Sequence, residues 1–411
     1  MRFLHTSDWH LGRSFHQVGL LDAQAAFLDS LVEVVRSEQV DAVLVSGDVY
    51  DRALPAPDTV ALLSDAVERL VDTGTRVVLS SGNHDSAIRL GFASSLLERA
   101  GLHIRTGVET VGRAVVIGDA AVHPLPYLEP SLTAGALGAE EATHAGVLRA
   151  AMARVRRGAG AGGTRTTVVM AHAFVTGGVG SDSERDISVG GVSAVPPEVF
   201  DGADYVALGH LHGRQQVTGT VRYSGSPVAM SFSECHHRKG SWLVDLSGAA
   251  LEVTDVEAPV ERSLACLTGD LEDLLRDPRH ADAERAWCQV TLTDPVRPAG
   301  AMDRLRARFP HTLDVRFSPR GTVTEARTYA ARLAGRGEVD VCCDFLAHVR
   351  AGSGASDAER ALLEQAFEGA RLARAASDGE GGAEALPPTT GPAPPTPLAG
   401  TESASGVAGA A

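Results

Sequence analysis

The sequence predicts an α/β fold: a largely parallel buried sheet covered by helices, then a smaller α+β domain and a C-terminal helical segment. Three observations point there. Apolar runs and helical patterns alternate in the order βαβαβ up to Ser80. Composition shifts near Pro259, and strand and helix patterns begin to alternate again beyond it. A further helical pattern over Ser356–Arg374 leads into a stretch of Gly, Ala, Pro, Ser and Thr.

The elements follow in order. Arg2–Thr6 reads as a short strand and Gln24–Ser37 as a helix, with Phe27, Leu28, Leu31, Val34 and Val35 on one stripe. Ala42–Ser46 is a β-branched buried strand, Thr59–Val71 an amphipathic helix and Arg76–Ser80 a third strand. Ala114–Ile117, Ala120–Val122, Thr166–Ala171 and Tyr205–Leu208 read as further strands, and Gly158–Gly163 as a flexible loop. Past Pro259 come Ser263–Leu267, a helix at Leu271–Arg276, a strand at Cys288–Thr293, a helix at Met302–Phe309 and a strand at Leu313–Phe317. Ser356 with Glu359 reads as a capping box, and Ala358, Leu362, Leu363, Ala366 and Phe367 share one helix face. The run LPPTTGPAPPTP cannot build a core, so 375–411 is expected to be disordered.

At 411 residues the chain is long for one domain, and 44% hydrophobic content allows a sizeable core. No signal peptide and no membrane span are expected. Five cysteines form no CxxC pair, so reduced thiols of a cytoplasmic protein are expected. A net charge of −15 argues against a broadly basic nucleic-acid surface. Any DNA contact would use a local patch, bound metal ions or a partner. His236 and His237 beside Arg238 and Lys239 are one such basic edge, with a solvated turn as the plainer alternative.

The chemistry-bearing residues share one address, the loop after a predicted strand, where open α/β sheets bind ligands. They are Asp8 and His10, then Asp48 and Asp51, then Asn83, His84 and Asp85, then His172, then His210 and His212. Asp, Asn and His offer oxygen and imidazole donors to divalent ions. In DxH and HxH the alternate side chains of an extended turn reach one side. Glycines before Asp48, Asn83 and His210 suit sharp turns. Seven candidate ligands (Asp8, His10, Asp48, Asn83, His172, His210, His212) are too many for one ion and fit two, with Asp48 placed to bridge. A single DxH or HxH is ordinarily a surface or core feature; five such motifs in order are not. Asp51 and Asp85 are candidate partners that orient a histidine. His5, inside the first strand, reads as a core residue, and Trp9 as either packing or a base-stacking platform.

The pattern DxH, GDxxD, GNHD, H, GHxH resembles the calcineurin-like metallophosphoesterase superfamily over about Met1–Val256. HTSDWHLG, SGDVYD, SSGNHDS, GSDSERDISVGG, YVALGHLH and RYSGSPVAMSFSE further resemble the SbcD family of bacterial nuclease subunits, and Arg262–Phe317 resembles that family's cap. The likeness covers about residues 1–370. It implies a layered β-sheet sandwich flanked by helices. The implied divisions are a nuclease domain at 1–257, an α+β cap at 258–340 and a partner-binding helical segment at 341–374. It implies a DNA nuclease, exonucleolytic on double strands and endonucleolytic on single strands and hairpins, that works with an SbcC-type ATPase in DNA repair, replication and recombination. It also implies a homodimer and manganese (Mn2+) as the ion. One ion would take Asp8, His10, Asp48 and His212; the second Asp48, Asn83, His172 and His210. His84 would face the scissile phosphate as the catalytic proton donor. The helix Ser356–Arg374 would dock on the ATPase coiled coil rather than fill a core. Two other readings compete: a small-molecule or cyclic-nucleotide phosphodiesterase on the same site, and a non-catalytic scaffold.

Overall fold

Short runs fold as strands β1 (Arg2–Thr6), β4 (Ala42–Ser46) and β5 (Arg76–Ser80), with the bounds the sequence predicts. They pair in parallel, Leu4 beside Val43 and Val43 beside Val77. Helices α1 (Leu21–Ser37) and α2 (Pro57–Asp72) make the crossovers. β6 (Leu102–Arg105) extends the sheet on one side. On the other lie β13 (Gly240–Ser247), antiparallel to β1, and β14 (Ala250–Glu257), antiparallel to β13. The order is β14-β13-β1-β4-β5-β6. The sequence does not announce β13 and β14: on β14 Glu252, Thr254, Asp255 and Glu257 interrupt the apolar run, as suits a half-exposed edge.

This computed structural model describes residues 1–158, 163–185, 187, 194–247, 250–320, 337–350 and 352–378. It divides into the units Met1–Arg320 and Gly321–Ala411. The Gly-rich stretch 158–163 and the tail 375–411 lie largely outside the described residues.

A second sheet is built from β7 (Val115–Ile117), β8 (Ala120–Pro124), β9 (Thr166–His172), β10 (Tyr205–Gly209), β11 (Gln215–Gln216) and β12 (Val221–Tyr223). Its order is β11-β12-β10-β9-β8-β7. Side-chain alternation fixes what each face buries. Phe3, Ala42, Leu44 and Val78 of the first sheet meet Val122, Val168, Met170, Tyr205 and Ala207 of the second. Leu4, Val43, Val77 and Leu79 face Phe27, Leu28, Leu31, Leu63 and Leu70 of α1 and α2. Val169, Ala171, Val206 and Leu208 face Val147, Ala151 and Val155 of the helix His144–Gly158. The result is a four-layer α/β sandwich, and the inner strands read as largely apolar runs because both faces are covered. His5 belongs to this interior, its ring nitrogens 2.9 Å from Tyr205 Oη and 3.1 Å from Leu208 O.

Strands β15 (Leu264–Gly269), β16 (Trp287–Leu292) and β17 (Thr312–Phe317) form a separate parallel sheet. With the helices Leu271–Arg276 and Ala301–Arg308 it encloses its own core around Leu274, Val290, Leu292, Leu305 and Phe309. It docks through Leu264, Trp287 and Leu313 onto Phe15, Leu20, Met230 and Phe232. Phe15, from the small pair β2 (Ser14–Phe15) and β3 (Val18–Gly19), lies 5.6 Å from Trp287 ring to ring.

In the second unit, Glu338–Val349 and Asp357–Asp378 are helices. The capping box forms: Ser356 N–H donates to Glu359 Oε2 at 2.9 Å and Glu359 N–H to Ser356 Oγ at 3.4 Å. Among its described residues none is buried, and Phe345, Val349 and Leu362 are well exposed.

Candidate metal centre

Strands β1, β4, β5, β9 and β10 all end at one edge, where the two sheets close on each other. Ser46, the last residue of β4, bonds Ala207 O through its hydroxyl at 2.9 Å and meets His172 Nδ1 through its carbonyl at 3.0 Å. The loops leaving these strands bend at once. Asp8, His10, Asp48 and His210 have φ of 53°, 42°, 47° and 104°, values that ordinary side chains seldom adopt. The expected extended alternation in DxH is therefore not what brings Asp8 and His10 together; left-handed backbone is. Main-chain bonds enforce it, Asp8 N–H to Gly47 O at 3.1 Å and His10 N–H to Asp48 O at 2.9 Å.

The glycines also act differently from expectation. Gly47 does turn, at φ +83°. Gly82 and Gly209 instead permit close approach: an added Cβ would sit 2.1 Å from Asp48 Oδ1 and 1.8 Å from Ser46 O respectively.

The side chains converge. Ligand atoms of Asp8, His10 and His212 lie within 4.8 Å of one another, as do those of Asp8, Asp48 and His172, and of His10, Asp48 and His84. Asp48 is central: its Oδ2 is 3.5 Å from His10 Nε2 and 3.4 Å from His172 Nε2. On one side His10 Nε2 faces His212 Nε2 at 3.2 Å. On the other, His172 Nε2 faces Asn83 Oδ1 at 2.9 Å, and the His172 and His210 rings are 5.3 Å apart. Asp8, His10, Asp48, His172, His210 and His212 are all buried. Among the described residues, Asn83 Nδ2 and His10 Nδ1 find no hydrogen-bond partner.

Such a cluster is costly without cations. Burial opposes charge on Asp48, yet His172 and His10 hold its carboxyl well below the usual range. Burial likewise opposes charge on His172, but Asp48 and then Asp8 push it up to about 9. Burial raises the Asp8 carboxyl and lowers His210 and His84. Protons thus offset the buried carboxylates where divalent ions would do so better. Facing imidazole nitrogens and carboxylates with no cysteine suit borderline or hard divalent ions.

His84 differs from the others. Its N–H donates to Asp48 Oδ1 at 2.9 Å and its Nδ1 lies 2.8 Å from Asp51 O. The ring is only half-buried.

The supporting residues are partly those expected. Asp51 Oδ1 lies 3.5 Å from His10 Nδ1 and pairs with Arg13 at 3.0 Å. Asp85, contrary to expectation, spends its oxygens on main chain rather than on a histidine. It accepts the N–H groups of Val49, Tyr50 and Gly82 at 3.1, 2.9 and 2.9 Å and so ties two site loops together. Trp9 is fully buried, edge-on to Phe27, with its indole N–H on Thr6 Oγ1 at 2.9 Å, so base stacking is excluded. Lys239 is no part of a basic edge; it is buried against Glu234. Gln24 reads from the sequence only as a helix start. Its amide donates to Trp9 O at 3.1 Å and His10 O at 2.7 Å and accepts from Gly12 N–H at 3.0 Å. A glutamine on an apolar helix stripe is the signal that could have found it. Glu234 and Ser183 also surround His212; they lie in the family-like stretches RYSGSPVAMSFSE and GSDSERDISVGG, where no ligand spacing singles them out.

Residues 1–214 match the family model for calcineurin-like phosphoesterases, and 260–350 match that of the type 5 capsule protein repressor C-terminal domain. The chain is 36% identical to the SbcD subunit of nuclease SbcCD from Escherichia coli strain K12, over 72% of this chain and 76% of that one. The chain belongs to the SbcD family of calcineurin-like phosphoesterases. Against the SbcD subunit of Rhodobacter capsulatus, identity is 40% over 61% of this SbcD-family chain and 67% of the relative. Against that of Staphylococcus saprophyticus it is 29% over 76% and 84%. The phosphoesterase match ends at residue 214, so it includes every candidate ligand of this SbcD-family chain but stops short of Glu234.

Proposed function

We propose that this chain is the metal-dependent DNA nuclease subunit of an SbcCD-type complex, with an SbcC-type ATPase as its partner. The observation that carries the chemistry is Asp48, whose single oxygen Oδ2 stands within 3.5 Å of imidazole nitrogens from both sides of the site. Asp8, His10, Asp48 and His212 would hold one ion, and Asp48, Asn83, His172 and His210 the other, manganese being the ion the family resemblance favours. When bound, the ions supply electrostatic stabilisation of the phosphodiester and its nucleophile.

The chain's own residues do the rest. The left-handed loops and their main-chain bonds hold the donors in place before substrate arrives. Asp51 and Arg13 fix the first loop, and Asp85 the second and third. His84 is anchored by Nδ1 at Asp51 O, which leaves Nε2 to meet the substrate. Burial lowers its pKa, so proton donation needs a second ring proton, which the approaching phosphodiester charge favours. Nδ1 then keeps its bond to Asp51 O while Nε2 delivers the proton to the leaving oxygen.

We also propose the division into a nuclease domain at 1–257, a cap at 258–340, a partner-binding segment at 341–374 and a tail at 375–411. Leu362 and Phe345, exposed on the second unit's helices, suit docking on the ATPase coiled coil. Ile88, Phe92 and Leu96, respectively 88%, 80% and 63% exposed, form an apolar surface suited to the expected homodimer. No described helix is long and apolar enough to cross a membrane.

The test is cleavage in manganese of hairpin and duplex DNA against cyclic nucleotides, with and without the ATPase. DNA cleavage stimulated by the ATPase is expected. Turnover of cyclic nucleotides alone would move the chain to the small-molecule class, and no turnover of either would make it a scaffold.

A further inference from the structure

The segment Phe232–Lys239 contributes no ligand, yet it carries two enclosed charges. Glu234 is 1% exposed and Lys239 7%. Each carboxylate oxygen has its own partners. Oε2 accepts from the Lys239 ammonium and from Met230 N–H. Oε1 accepts from the Ser183 hydroxyl and lies 3.2 Å from His212 Nδ1. The ammonium's other two protons go to His212 O at 3.0 Å and Ser226 Oγ at 2.9 Å, so all three donors are engaged. His212 N–H donates to Glu184 Oε1 at 2.8 Å, which holds the residue's main chain from the other side.

We propose that the buried Glu234–Lys239 pair is a tautomer clamp for His212, keeping the ring proton on Nδ1 and the Nε2 lone pair facing His10 and the metal centre. The inference rests on the assignment of His212 as a metal ligand made above. An ionised carboxylate accepts and never donates, so a ring nitrogen facing it must carry the hydrogen. Ser183 Oγ, 2.7 Å from the same Nδ1, has its hydrogen directed to Glu234 and therefore also presents a lone pair. Two acceptors thus converge on Nδ1, and Nε2 is left free to coordinate. Lys239 balances the buried carboxylate and leaves Oε1 for the histidine. Glu234 and Lys239 are positioning residues, acting only through His212.

Glu234→Gln tests this with a predictable twist. The amide has one acceptor atom, and both Lys239 and Met230 N–H demand it at the Oε2 position. The NH2 group is forced toward His212, Nδ1 becomes the acceptor, and the ring proton moves to Nε2, where it blocks coordination. Glu234→Gln with Lys239→Met removes the stronger demand and lets the amide oxygen turn back. The full chain is titrated with Mn2+ by calorimetry, metal-free samples are compared by thermal melting, and 15N NMR reads the His212 tautomer, assigned against His212→Ala. Wild type is expected to bind two ions with His212 protonated on Nδ1. Glu234→Gln should lose about 10–100-fold in affinity for one ion, with the proton on Nε2. The double variant should regain most of that affinity.

A double variant that binds worse than Glu234→Gln, or a Glu234→Gln ring still protonated on Nδ1, overturns the clamp. Should the double variant fail to fold, the tautomer in metal-free Glu234→Gln decides alone. His212→Ala binding two ions as wild type does would overturn the ligand assignment instead, whatever Glu234→Gln does.

Discussion

At the scale of single residues, Asp48 and His84 divide the labour of the site. Asp48 Oδ2 reaches toward both His10 and His172, and its Oδ1 accepts the His84 N–H. Asp48→Ala should therefore lower occupancy of both ions and abolish cleavage; elemental analysis still finding two ions per chain would refute the bridge. His84 lies close enough to His10 and Asp48 to be read as a ligand, so the distinction needs a measurement. His84→Ser should keep both ions and keep DNA binding while single-turnover cleavage drops about 10²–10⁴-fold. Asn83→Ala, by contrast, should weaken the ion beside His172, whose Nε2 its Oδ1 faces. Metal loss in His84→Ser parallel to its loss of activity would make His84 a ligand.

At the scale of elements, the site depends on strand ends held by loops, and the cap on one small apolar contact. The β15–β17 sheet has its own core, so what joins it to the sandwich is the cluster of Phe15, Phe232, Trp287 and their neighbours. Trp287 is only half-buried, and its truncation should cost about 1–3 kcal/mol rather than a full core penalty. Trp287→Ala should speed hydrogen exchange across residues 264–317 and leave Mn2+ stoichiometry at two per chain. Equal destabilisation of the sandwich strands would show that cap and sandwich unfold as one.

At the scale of the molecule, each unit exposes apolar side chains, Ile88, Phe92 and Leu96 on the first and Phe345 and Leu362 on the second. Phe92→Glu with Ile88→Glu should give a monomer by light scattering while single-chain metal binding persists. A dimer of unchanged affinity would place the interface elsewhere. On the second unit, Leu362→Glu with Phe367→Glu should abolish co-purification with an SbcC-type ATPase and spare basal manganese-dependent cleavage. Unchanged co-purification would remove that helix from the interface. Two of the carboxylates that make up the net charge of −15, Asp8 and Asp48, are enclosed at the candidate metal centre, where bound cations would offset their charge locally.

The sequence pattern placed β1, β4 and β5 to the residue, because strands buried on both faces are short and largely apolar. It also placed Asp8, His10, Asp48, Asn83, His84, His172, His210 and His212 at strand ends, where five motifs in order, rather than any one of them, mark a site. The edge pair β13–β14 stayed hidden, because a half-exposed strand tolerates the charges that break the pattern. What only the tertiary structure decided is how the donors meet and what stands behind them. Left-handed φ at Asp8, His10, Asp48 and His210 comes with bonds between loops far apart in the chain, such as Asp8 N–H to Gly47 O and His10 N–H to Asp48 O, and no local pattern encodes it. Gln24, Glu234 and Lys239 are buried polar residues that no local pattern marks. Their bonds to His10 and His212 reach across from other segments, so burial turns ordinary side chains into the frame of the site only once the sheets have closed.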